Sequence, residues 1–141
     1  MSVRPSLRFA ASAAVAASIS GAVVLMLASR NGSADIFWTS MGWAPVSAAG
    51  VLGGAWLAEA HGRLDRRFFA AFAVGIAARS LTVLGCLVFA LAGGTQAWKA
   101  CLVGLAAGYF PVQLVEIGWF LRPGSKAAPS AAAGHNARGL A

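Results

Sequence analysis

The amino-acid sequence predicts an all-α membrane protein whose four transmembrane helices form two antiparallel hairpins. Three observations lead there. Of the 141 residues, 59% are hydrophobic and only 11% are charged, against roughly 25% charged in a soluble domain, and the mean hydropathy is +0.73. The charged residues cluster between four long runs almost free of charge. Lys and Arg, finally, are shared unequally among the segments that separate those runs. Together these exclude a water-soluble fold. The 17 glycines lack a three-residue period, which excludes collagen, and two cysteines are too few for a disulfide scaffold.

The first run, Phe9 to Ser29, has 21 residues without a charge, about the ~20 that a helix needs to cross the hydrocarbon. An Arg-containing N-terminus before an Ala-rich stretch also fits a secretory signal peptide. The run exceeds the ~7–15 residues of a signal's apolar core, so a retained helix is expected. Asn31-Gly32-Ser33-Ala34-Asp35 reads as a polar turn, and Ile36 to Ala58 gives a second span of 23 uncharged residues. Pro45 lies inside it, which membrane helices tolerate where a neighbour satisfies the freed carbonyl.

The segment from Glu59 to Arg67 carries three arginines and two acids and separates the second span from a third over about 68–92, interrupted only by Arg79. Gly93-Gly94-Thr95-Gln96 reads as a tight turn, with Trp98 and Lys99 as interfacial anchors. The fourth span covers 100–121 and contains Glu116. Residues 1–122 thus form one transmembrane domain. Residues 123–141, poor in large apolar side chains, are expected to be a flexible cytoplasmic tail.

Counting Lys and Arg outside the spans places Arg4, Arg8, Arg63, Arg66, Arg67, Arg122, Lys126 and Arg138 on one side and Arg30 and Lys99 on the other. That bias puts both termini in the cytoplasm of a bacterial inner membrane. It also explains the net charge of +7 through topology and anionic lipid, so no nucleic-acid partner is expected. The lipid bilayer is the expected environment, and self-association into a homo-oligomer is an open alternative.

The motif patterns of common catalytic sites are missing from the sequence, and neither enzymatic activity, a metal site nor a cofactor is expected. His61 and His135 read as solvated residues, Cys86 and Cys101 as small packing residues. Arg79 and Glu116 are the informative positions, because an ionisable group inside a membrane helix costs roughly 2.5–3.5 kcal/mol on insertion scales and normally faces a partner. At 3.6 residues per turn Gly75, Arg79, Thr82 and Cys86 share one stripe of the third span, and Tyr109, Gln113 and Glu116 share one of the fourth. Arg79 sits roughly 16 Å and Glu116 about 8 Å from the cytoplasmic edge. Helical side chains lean toward their own N-terminus, so the two lean toward each other. Gly75, Arg79, Tyr109, Gln113 and Glu116 are therefore the candidates for a partner surface or an ion pathway. Gly50 with Gly54, and Gly104 with Gly108, have the GxxxG spacing that lets membrane helices approach closely. Phe37, Trp38, Phe68, Phe69, Trp98, Trp119 and Phe120 fall near span ends, where aromatic rings favour the head-group region.

The Arg-flanked first hairpin, the Phe37-Trp38 opening of the second span, the basic loop and the third-span run through Phe68, Phe69, Phe72, Gly75 and Arg79 together resemble the ATP synthase protein I family of small four-helix bacterial proteins. The likeness covers about Arg8 to Arg122, and Gly75 with Arg79 is its most family-like element. Where some members carry an acid directly after the glycine, this chain has Ile76. The resemblance implies a membrane accessory protein that assists assembly or stability of the ATP synthase rotor ring, with rotor subunits as partners. The alternatives are a small oligomeric transporter of ions, divalent cations among them, and a structural accessory subunit of another membrane complex.

Overall fold

The computed structural model describes residues 4–60 and 66–121. All the secondary structure there is helical, in four elements: α1 (Pro5–Ala28), α2 (Ser33–Ala60), α3 (Arg66–Ala92) and α4 (Gly94–Phe120). α1, α3 and α4 are long and apolar enough to cross a membrane. α2 is long enough but falls short of their apolarity, because glycine, serine and tryptophan dilute its aliphatic residues. The expected tail 123–141 and the histidines His61 and His135 lie outside the described residues.

Helix boundaries follow backbone chemistry more than charge. Pro5 occupies the start of α1, where its fixed φ is helical and its missing N–H costs nothing. Gly32, at φ 119°, makes the turn into α2, and Gly94, at φ 84°, turns the chain straight into α4, a backbone region open mainly to glycine. Thr95 and Gln96 therefore belong to the first turn of α4 and not to a loop, which lengthens that helix by six residues over the expected start at 100.

α2 and α4 form the centre. They touch along most of their length, α1 packs on one flank of the pair, α3 on the other, and α1 and α3 do not meet. One apolar cluster joins Phe9, Ala13 and Ala17 of α1 to Ala58 and Val112, and a second joins Cys86 and Ala90 of α3 to Val46, Cys101 and Leu105. Small residues let the backbones close. A side chain at Gly104 would collide with the Thr39 carbonyl, one at Gly42 with the Cys101 carbonyl, and one at Gly108 with Ser47 Oγ and the Trp43 carbonyl. Gly50 lies against Val112, whereas Gly54 is covered by the ring of Phe9. The second GxxxG pair thus serves the α2–α4 contact, and the first is split between α4 and α1.

Aromatic side chains tie helices together, Trp38 and Trp119 among them although both fall near span ends. Trp43 lies over Gly21 and its indole N–H donates to the Ala17 carbonyl at 3.1 Å. Trp119 meets Phe9 edge-on at 5.9 Å, and Trp38 meets Phe89 at 5.4 Å. Pro45 removes the N–H that would bond the Met41 carbonyl four residues back; the Cys86 thiol of α3 donates to that carbonyl instead, at 3.3 Å.

Candidate functional site

α3 and α4 are the most loosely packed of the touching pairs. Between them, floored by α2, runs an open groove of about 840 Å³. Its walls are apolar, with Phe72, Ile76, Leu84 and Leu87 from α3 and Leu102 and Leu105 from α4. Arg79, Tyr109, Gln113 and Glu116 line the same groove.

Arg79 is the centre of the polar group. Its Nη1 lies 2.7 Å from Glu116 Oε2, with only 11% of the Arg79 side chain and 8% of the Glu116 side chain exposed. Nη1 also donates to Gln113 Oε1 at 3.2 Å, and Nη2 donates to the Gly50 carbonyl at 3.3 Å. One guanidinium thereby joins three helices. Gly53 of α2 lies beside it, where an added Cβ would sit in ordinary van der Waals contact, 3.6 Å from Nη2. The approach to Glu116 is close in distance without hydrogen-bond alignment, and Nε of Arg79 is buried with no partner among the described residues. The pair is held by charge in a setting where each ion alone would be costly.

The expected stripes are placed unevenly. Tyr109, Gln113 and Glu116 all face the groove. On α3, Gly75 and Arg79 line it, but Thr82 turns its hydroxyl back to the Ala78 carbonyl at 2.8 Å and Cys86 is buried against α2. A Cβ on Gly75 would meet nothing within 4 Å, so glycine there keeps the groove wide.

A second buried acid escaped the sequence reading. Asp35, read as part of a turn, lies in the first turn of α2 at 7% exposure. The Gln96 side-chain amide donates to both its oxygens, at 3.2 and 3.1 Å. The helix N-terminus favours the negative charge. The available signal was that Asp35 and Gln96 each fall just after a glycine turn, in the opening turns of the two helices that form the centre. Thr39, Asn31 and Lys99 line a small pocket of about 200 Å³ beside them.

No group of three or more metal-ligating side chains is found among the described residues. The arrangement at Arg79 holds charge and offers hydrogen bonds inside an apolar groove; a nucleophile with an activating base is not part of it. No protein-family model matches the chain, and no curated relative or solved structure shows significant similarity to it.

Proposed function

We propose that this chain is a multi-pass accessory protein, without catalytic activity, of the bacterial inner membrane. In this reading it crosses four times as two antiparallel hairpins, with both termini cytoplasmic, and holds an apolar transmembrane segment of another protein. The observation that carries the reading is the open α3–α4 groove, an apolar cleft with a buried charge pair at its side. Membrane helices associate through close packing and hydrogen bonds more than through apolar burial, and this groove offers both. The packing of Phe9, Ala13 and Ala17 into the core supports a retained first helix over a cleaved signal. The eight-to-two distribution of Lys and Arg supports the orientation.

Rotor subunits of ATP synthase are the partner that the third-span resemblance favours, and the role is then assembly or stabilisation of the rotor ring. Co-purification with rotor subunits in mild detergent is the expected result. Unchanged rotor-ring yield after deletion of the gene rejects that partner.

A second reading, ion passage through an oligomer, draws on Glu116, Gln113 and Tyr109 sharing one groove. The guanidinium 2.7 Å from Glu116 disfavours a divalent cation there, since such ions seek oxygen-rich sites and carboxylates. Flux into liposomes that is lost in Glu116→Gln would favour transport over docking.

A further inference from the structure

We infer that the segment received by the α3–α4 groove is a transmembrane helix carrying one uncharged hydrogen-bonding side chain, an amide or a hydroxyl, at the level of Arg79. This inference rests on the docking reading above and specifies the partner's chemistry.

The size of the groove sets how the partner sits. On α3 the lining runs from Ala71 to Leu87, which is about 24 Å of helix. Spread over that length, about 840 Å³ corresponds to a cross-section of roughly 35 Å², against about 80–110 Å² for a helix 10–12 Å across. A whole helix does not sink into it. A single ridge of side chains does, as in ordinary ridge-into-groove packing. The groove is long enough for more than four turns of such a ridge.

Charge then sets what the ridge carries at its middle. Arg79 lies midway between Ala71 and Leu87, with apolar wall on either side. Its charge is already matched by Glu116, so the site is electrically balanced, and a further fixed charge would enter an apolar setting uncompensated. Hydrogen-bonding capacity remains. Gln113, which lines the groove, uses Oε1 toward Arg79 and leaves its amide N–H groups unused. Tyr109 lines the groove too, and neither its hydroxyl nor the Gln113 amide N–H groups bond to a described residue. A neutral partner group that accepts from Gln113 and exchanges a hydrogen bond with Tyr109 is what this site complements.

The test uses the full chain in bicelles and three Leu-rich transmembrane peptides that differ only at the central residue: Leu, Asn or Lys. Binding is read by energy transfer below the concentration at which each peptide self-associates. The Asn peptide is expected to bind about five- to thirty-fold more tightly than the Leu peptide, from the usual strength of interhelical hydrogen bonds in model peptides, and the Lys peptide more weakly than either. Tyr109→Phe combined with Gln113→Met should erase the difference between Asn and Leu. Gly75→Phe, which projects a ring into open groove space, should weaken the Asn peptide at least tenfold. Equal binding of Leu and Asn, or Lys binding as well as Asn, overturns the inference while the docking reading stands. If no peptide binds, or Gly75→Phe has no effect on binding, the groove faces lipid and the docking reading itself falls.

Discussion

At the scale of the residue, Arg79 and Glu116 form a buried pair whose members depend on each other. Removing one partner leaves an uncompensated charge, at a cost of roughly 3–5 kcal/mol, whereas replacing both can be nearly neutral. Arg79→Leu and Glu116→Leu should each lower the unfolding temperature in detergent more than the double replacement does; additive losses would show that the two groups act independently. Cys86 has a different task, as the donor to the carbonyl that Pro45 frees. Cys86→Ser keeps a donor and should hold stability, while Cys86→Ala should lose about 1–3 kcal/mol through the unsatisfied Met41 carbonyl, measurable in the same unfolding experiment. Both Arg79 and Glu116 stand out in the sequence because charge is rare in an apolar run, and helical period plus side-chain lean place them side by side. The bond from Arg79 to the Gly50 carbonyl was not legible, since it depends on how α2 is rotated, and α2 is small or apolar on nearly every face.

At the scale of the element, glycine governs how closely α2 and α4 meet. Gly104→Ala would drive a methyl group onto the Thr39 backbone carbonyl, where neither side can yield by a rotamer change. We expect a loss of about 1–3 kcal/mol or more, whereas Gly118→Ala, with nothing within 4 Å of the new Cβ, should be nearly neutral. Equal behaviour of the two variants in thermal unfolding would show that α2 and α4 are not in close backbone contact. The four helices were legible from the uncharged runs. Which glycines meet which helix was not, because the GxxxG spacing marks a small surface without naming what lies against it: Gly54 receives Phe9, and Gly42, outside either motif, faces Cys101. α2 falls short of a span's apolarity through its glycine, serine and tryptophan, whereas α4, which also touches all three other helices, keeps it.

At the scale of the whole molecule the bundle is lopsided, with α1 and α3 on opposite flanks of a central pair and α3 leaving a groove on its side. The polar turns divide between two ends. Asn31 and Asp35 share a pocket with Gln96 and Lys99, so the α1–α2 turn and the α3–α4 turn lie at one end. Two of the chain's basic residues, Arg30 and Lys99, belong to that end, and the sequence places the other basic residues outside the spans at the opposite one. Lys and Arg are retained on the cytoplasmic side during insertion, so in the proposed topology the pocket end is the exterior one. The weak hydropathy of α2 makes this arrangement open to a direct check. Reporter fusions after Ser33, Gly62, Thr95 and Lys126 should alternate outside, inside, outside, inside. If Ser33 and Gly62 report the same side, α2 does not cross the membrane and the two termini lie on opposite sides. The chain then has three crossings, and the groove that α2 floors belongs to a protein inserted differently from the one proposed.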